Sequence, residues 1–183
     1  MLDPRVAASI RILGLDVDGV LTDNGIYVGE VAGARVEFKR FDIQDGLGHK
    51  LLRLAGIEVA WVSGRPSQAT TLRGRELGVE TVLQVPPDRK VPAIQQLLDE
   101  RGLGWEALAF VGDDLADLPV LARAGLPIAV ANALPRIKAV ARHVTTAPGG
   151  HGAVREVIED LLQARGQLDH AYATYHASPE PRS

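Results

Sequence analysis

Residues 10–19 read Ile-Arg-Ile-Leu-Gly-Leu-Asp-Val-Asp-Gly, an aliphatic run that stops abruptly at two carboxylates and a glycine. The run from Ile10 to Val17 is short and rich in aliphatic side chains, which reads as a strand buried on both faces of a parallel sheet. Four runs of the same kind follow at Ile57–Ser63, Thr81–Val85, Ala107–Gly112 and Leu126–Val130. Helical patterns lie between them at Leu47–Ala55, Gln68–Leu77, Val91–Arg101 and Leu115–Ala124. Strand and helix alternating at this spacing predict an α/β fold, a doubly wound, Rossmann-like parallel sheet with helices on both faces. Residues 25–41 break the rhythm. They alternate with period two on either side of Gly29–Gly33, which predicts a β-hairpin projecting from the sheet. A last helix is expected at Ala153–Arg165. Beyond Gly166 the chain is mostly polar with two prolines near its end, so residues 1–170 read as one domain and 171–183 as a flexible tail.

Composition removes several classes of function. The 183 residues carry a net charge of −3, which disfavours a general polyanion binder, and only 4% are aromatic, too few for a platform that stacks single-stranded nucleic acid. No cysteine is present, so there is no disulfide, thiolate metal site or cysteine nucleophile. No stretch approaches the roughly 20 apolar residues that span a bilayer, and Arg5 and Arg11 interrupt any signal-peptide core. A cytoplasmic protein is expected, with no nucleic-acid or membrane partner.

In an open parallel sheet, ligands bind at the carboxyl ends of the strands. Here those ends carry Asp16-Val17-Asp18-Gly19, Ser63-Gly64-Arg65 and Gly112-Asp113-Asp114, and Lys90 precedes the helix that leads into the last of them. Carboxylates gathered this closely raise one another's pKa values, and a cation relieves the repulsion. Oxygen ligands without His or Cys favour Mg2+ over zinc. Residues two apart on an extended segment point to the same side. Asp16 is thus placed to attack phosphorus while Asp18 protonates the leaving oxygen and later activates water. Ser63 supplies a hydrogen bond to a phosphoryl oxygen, and Lys90 with the metal offsets its charge. Gly19 admits the sharp turn. A lone Asp-x-Asp is usually a solvated loop; the ordered set of four motifs is far more specific.

DVDGVLTD (16–23), Ser63 in VSGR, Lys90 and GDDLADLP (112–119) resemble the four motifs of the haloacid dehalogenase superfamily phosphatases. More narrowly, FDIQDGLGHKLL (41–52), the preceding hairpin, AFVGDDLADLPVL (109–121) and GGHGAVREVIEDLL (149–162) resemble the 3-deoxy-D-manno-octulosonate 8-phosphate phosphatase family. That resemblance covers residues 10 to 170 and implies a Mg2+-dependent phosphatase acting through an aspartyl-phosphate in lipopolysaccharide precursor synthesis. It implies that Asp16, Asp113 and the main-chain carbonyl of Asp18 hold the metal, with Asp114 and Asp117 acting from behind them. It places the substrate, a small sugar-acid phosphate, against Asp18, Asp42, Ile43, Gln44, Asp45, Gly46, Lys50, Arg65, Arg73 and Lys90. One departure is the segment QVPPDRK (84–90), where Val85 stands in place of a glycine and Arg89 adjoins Lys90; the helix behind Lys90 favours it as the motif cation, with Arg89 as the substitute.

Arg65, beside a motif, and Arg73, within the following helix, are cations fit for a carboxylate, although Arg73 and Arg75 read equally as a solvated helix face. His49 and His151 read as hydrogen-bonding groups, and the glycines of GGHG as a tight turn. Only 46 residues separate Asp16 from Ser63 and 26 separate Ser63 from Lys90, so no cap domain fits. An uncapped site needs a large substrate or a second chain to exclude water. Ile26, Val28, Val36 and Phe38, apolar at alternate hairpin positions, predict self-association; the resemblance implies a homotetramer with the hairpins at its centre and a neighbour's terminal segment at each site. Two other readings stay open: a phosphatase of another acidic sugar phosphate such as a nonulosonate 9-phosphate, and a non-catalytic metal-binding oligomeric module.

Overall fold

The computed structural model describes residues 2–177. In chain order the first half contains α1 (Pro4–Ser9), β1 (Ile12–Leu15), β2 (Tyr27–Val31), β3 (Ala34–Phe38), α2 (Ile43–Leu54), β4 (Glu58–Ser63), α3 (Gln68–Glu76) and β5 (Thr81–Gln84). There follow α4 (Lys90–Glu100), β6 (Leu108–Gly112), α5 (Leu118–Leu121), β7 (Leu126–Ala129), α6 (Pro135–Lys138), β8 (His143–Val144), α7 (Ala153–Ala164) and α8 (Leu168–Ala177). Six strands form one parallel sheet in the order β5-β4-β1-β6-β7-β8. Counted without the hairpin this is 3-2-1-4-5-6, the doubly wound order, and the winding reverses between β1 and β6. Asp16 and Asp113 follow those two strands.

Every residue of β1 and β6 is buried, as a central parallel strand requires. Gly14 makes room for the enclosed ring of Phe110; a Cβ there would stand 2.7 Å from Phe110 Cδ2. Right-handed crossovers put α2 and α3 on one face and α4, α5 and α6 on the other. The first face is completed by α7 and α8, which pack on α2. Gly48 of α2 permits that approach, since a Cβ would meet Ile158 Cδ1 at 2.7 Å.

Several elements differ from the sequence reading. Helix α2 starts at Ile43 rather than Leu47 because Asp42 caps it, accepting the Gln44 N–H at 2.7 Å. Helix α5 starts at Leu118 rather than Leu115 because Pro119, which lacks an N–H, fits only a helix's first turn; residues 114–117 form a tight turn before it, and the helix spans a single turn. The short α1, α6 and β8 were not expected, though Asp3 followed by Pro4 is a legible helix start. The flexible tail expected from residue 171 is corrected by α8. Its Ala171 is buried, its Tyr172 hydroxyl donates to Glu159 Oε1 at 2.6 Å, and the Lys50 ammonium lies 5.1 Å above the Tyr175 ring. The rest of that expectation, residues 178–183, lies outside the described residues.

The hairpin forms a two-stranded sheet of its own. Its turn has positive φ at both Ala32 (51°) and Gly33 (81°), the type I′ geometry that suits strand twist. Tyr27 stands opposite Phe38 and Val28 opposite Glu37. Val28, exposed as expected, therefore faces away from Val36 and Phe38, so the expected residues do not make one face. Tyr27, Val31 and Phe38 form the apolar face instead, each about 60% exposed.

Candidate active site

After β1 the chain closes a wide turn in which the Thr22 N–H donates to the Val17 carbonyl at 3.1 Å. Gly19 within it has φ +94°, and a Cβ there would collide with the Asp113 carboxylate. The glycine thus does more than turn the chain: it lets two acidic strand ends meet. On the other side of the turn sits the GGHG segment. The Gly150 N–H donates to the Val20 carbonyl at 3.0 Å, and a Cβ on Gly149 would strike the Gly19 carbonyl. Asn132 ties the two together, its Nδ2 donating to the Gly19 carbonyl at 3.2 Å and its Oδ1 accepting the Gly149 N–H at 2.7 Å. The glycines therefore clamp the acidic loop. Asn132 was missed by the sequence reading; its signal was a carboxamide just past a strand's carboxyl end.

Asp16, Asp18, Arg65, Lys90, Asp113 and Asp117 line an open cleft of about 700 Å³, with Asn24 and Ile26 at its rim. The Lys90 ammonium is buried, 2.6 Å from Asp16 Oδ1 and 2.8 Å from Asp117 Oδ1. Arg89 points into solvent, 4.0 Å from Asp88, so Lys90 is the cation of the cleft. Burial would pull the lysine's pKa down, but the two carboxylates outweigh it and hold it above its ordinary value. Asp16 is pushed well above the usual carboxylate range by burial and then by the charge of Asp117. Asp113 is raised to about 7 by burial, then by Asp117 and Asp114.

Oxygens of Asp16, Asp113 and Asp117 all lie within 4.8 Å of one another. Asp113 Oδ1 is buried without a hydrogen-bond partner. Asp117 has both oxygens engaged, one by Lys90 and the other by the Asp113 N–H at 3.1 Å. The donor set is all oxygen and carries more negative charge than one lysine offsets, which fits a hard divalent cation such as Mg2+. Asp114 stays exposed, accepting the Leu115 N–H at 2.6 Å.

Asp18 is flanked by two cations, Lys39 Nζ at 2.6 Å from Oδ1 and Arg65 Nε at 3.2 Å from Oδ2. Arg65 also donates to both oxygens of Glu37, at 2.8 and 3.3 Å. That fork, with a bond from the Ser67 hydroxyl, holds the Glu37 carboxyl down at about 2. Sequence reasoning overlooked Lys39 and Glu37, which belong to the hairpin. Ser63 reaches the strand end but turns inward: its hydroxyl donates to the Arg65 carbonyl at 2.9 Å.

The second group of expected site residues is not brought to this cleft. Asp42 caps α2, Ile43 is 82% exposed, and Gln44 is exposed beside it. Asp45 accepts the Arg155 N–H at the start of α7 (2.7 Å). Gly46 lies against the Arg73 guanidinium, which pairs with Glu76 at 2.8 Å, and Lys50 rests on Tyr175. His49 is a buried hydrogen-bonding group, and His151 lies 3.4 Å from Arg40.

A doubly wound sheet whose reversal point joins an Asp-x-Asp turn to a buried lysine and a second acidic strand end defines a class, that of the haloacid dehalogenase-like hydrolases. The sequence model of that class matches residues 86–158. The chain is 43% identical over 165 residues to the 3-deoxy-D-manno-octulosonate 8-phosphate phosphatase KdsC of Escherichia coli (strain K12), covering 90% of this chain and 86% of that protein. The crystal structure of the phosphatase of the same name from Moraxella catarrhalis, in complex with magnesium, phosphate and KDO, superposes with a TM-score of 0.88 at 37% identity, over 94% of this chain and 97% of that one. A cobalt-bound Haemophilus influenzae phosphatase of this kind gives 0.83 at 34% identity, over 92% and 99%. This chain belongs to the 3-deoxy-D-manno-octulosonate 8-phosphate phosphatase family.

Proposed function

We propose that this chain is a Mg2+-dependent phosphatase that hydrolyses 3-deoxy-D-manno-octulosonate 8-phosphate to 3-deoxy-D-manno-octulosonate and inorganic phosphate, in lipopolysaccharide precursor synthesis. The observation that carries the reading is the meeting of Asp16, Lys90 and Asp113 where the sheet's winding reverses. The relatives' activity supplies the substrate.

Asp16, Asp113 and the main-chain carbonyl of Asp18 would hold Mg2+, which when bound draws negative charge from the phosphoryl oxygens. A carboxylate oxygen of Asp16 forms a bond to phosphorus as the bond from phosphorus to the sugar oxygen breaks. Asp18, on the same side of the cleft, gives its proton to the departing alkoxide. It then takes a proton from the water whose oxygen displaces the phosphoryl group from Asp16. Lys90 balances charge on the transferring group, and Asp117 fixes the ammonium in place. Ser63 would have to turn its hydroxyl away from the Arg65 carbonyl to donate to a phosphoryl oxygen, and the planar fork of Arg65 suits the sugar carboxylate.

Asp42, Ile43, Gln44, Lys50 and Arg73 lie outside the cleft of one chain, so substrate contacts from them belong to a site completed between copies, whereas Asp45 and Gly46 are buried within the chain. The exposed face of Tyr27, Val31 and Phe38 supports assembly through the hairpin, as a homotetramer. We place the enzyme in the cytoplasm: a sugar-acid phosphate carries two anions and does not cross a bilayer unaided, and no described helix is long and apolar enough to span one.

Phosphate release over a panel of sugar phosphates tests this reading. The 8-phosphate should give the highest kcat/KM, about tenfold or more above a nonulosonate 9-phosphate. EDTA should abolish turnover and Mg2+ restore it. Phosphate release from no member of the panel, or activity indifferent to EDTA, sinks the reading.

A further inference from the structure

We propose that Lys39 and Glu37, two residues apart where β3 ends, are positioning residues for this reaction: Lys39 aims the Asp18 carboxylate, and Glu37 holds Arg65 ready for the substrate's carboxylate. The inference rests on the phosphatase reading and deepens it.

Alternation along the strand is the first support. Phe38 faces outward, 62% exposed, so its neighbours on either side turn the other way, toward the cleft. The Lys39 side chain is completely enclosed, although lysine is among the residues least often buried. Enclosure costs a long flexible chain its rotamer freedom and its ammonium most of its water. Two contacts compensate: Asp18 Oδ1 at 2.6 Å and the buried Thr70 hydroxyl at 3.2 Å.

Both oxygens of Asp18 therefore meet cations: Oδ2 accepts a hydrogen bond from Arg65, and Oδ1 forms an ion pair with Lys39 that leaves it without an aligned hydrogen bond. One contact must yield before the carboxyl can reach a leaving oxygen. Arg65 is the partner able to yield, because its side chain is 32% exposed and its other nitrogens are held independently by Glu37. Glu37 is itself fixed by the Ser67 hydroxyl at 2.7 Å, at the start of α3. The guanidinium pivots on Glu37 from Asp18 to the substrate anion, while Lys39 keeps Oδ1 and leaves Oδ2 aimed at the leaving oxygen.

The test compares leaving groups on the full-length, Mg2+-supplemented enzyme. A sugar alkoxide needs a proton from Asp18 to depart, whereas p-nitrophenolate does not. Lys39→Met should lower kcat about a hundredfold on the sugar 8-phosphate with KM little changed, the cost of a misplaced catalytic group. On p-nitrophenyl phosphate the first-turnover burst of p-nitrophenolate, which reports phosphorylation of Asp16 before the water step that Asp18 also serves, should slow by less than about threefold. Lys39→Arg should recover most of the activity. Glu37→Gln should raise KM for the sugar-acid ester about tenfold and leave p-nitrophenyl phosphate unaffected, since that ester has no carboxylate. Equal losses in the first-turnover phosphorylation rate on both substrates, or none on either, overturn the proposal. Were Lys39→Met to misfold in a thermal melt, Lys39→Gln carries the same comparison. Failure of the substrate reading looks different: the wild-type chain then cleaves p-nitrophenyl phosphate but not the sugar ester, and the comparison is repeated with the alkyl phosphate it does cleave.

Discussion

Two polar clusters buried among the described residues are built to opposite plans. Within α2 and β4, the Trp61 indole donates to His49 Nε2 at 2.9 Å. Because an indole only donates, Nε2 is the acceptor, and the ring's proton sits on Nδ1, bonded to the Asp45 carbonyl at 2.8 Å. Burial lowers the His49 pKa to about 4, so the ring is neutral and both its nitrogens are satisfied. At the carboxyl edge, three carboxylates face one ammonium. Burial of polar groups is common to both clusters. Unbalanced charge belongs only to the second, and it is this that marks a place for a ligand.

The contrast predicts opposite outcomes on substitution. Asp16→Asn should cut phosphate release by about ten-thousandfold or more, as loss of a covalent nucleophile does. The same change removes one of the repelling carboxylates, so the variant should melt at or above the wild-type temperature in EDTA, as read by calorimetry. A less stable variant that still turns over would erase the distinction. His49→Ala should do the reverse. It strands the Trp61 N–H and opens a cavity, costing about 2–4 kcal/mol in a urea melt, while kcat with saturating Mg2+ stays at the wild-type value.

How far each cluster could be read from sequence follows from how its residues are placed. Asp16, Asp18 and Asp113 directly follow aliphatic runs, so a strand assignment also assigns their edge of the sheet. Lys90 was legible by its place before a helix, and its burial separates it from Arg89. The His49 network was not legible, because its partner Trp61 lies on another element and period alone pairs no helix with a strand. The hairpin was visible in its alternation, but its register was not: a shift of one residue exchanges its faces, as Val28 and Tyr27 illustrate. Lys39 and Glu37 were obscured for a related reason, since the segment's apolar residues drew attention to its outer face. Helix α8 escaped because its anchors, Ala171, Tyr172 and Tyr175, are a thin stripe in a polar stretch. The grouping of Asp42 to Lys50 with the cleft came from resemblance alone; in one chain, Asp45 binds that end of α2 to α7 instead.

Asp45 offers the subtlest test of the closed cluster. Its Oδ1 accepts the Arg155 N–H, but its Oδ2 is buried without a partner, and burial raises its pKa from 3.8 to about 6 despite the main-chain bonds it receives. The folded chain thus keeps a proton between about pH 4 and 6 that the unfolded chain has released. The stability this confers is full below pH 4 and is lost as pH rises through 6. His49 acts with the opposite sign. Its folded pKa of about 4 lies below the ordinary 6.5, so the unfolded chain binds the extra proton in that window and stability increases with pH. In the wild type the two slopes oppose each other. Asp45→Asn keeps the shape and an acceptor for Arg155 while removing one slope. Relative to wild type the variant should gain stability from pH 4 to 6 and level off above it, by at most about 3 kcal/mol. Urea melts at several pH values, with Mg2+ present throughout, measure that difference. A difference that does not vary with pH would mean that Asp45 ionises as freely as a surface carboxyl, and the junction of α2 with α7 would then be wetter than its burial implies.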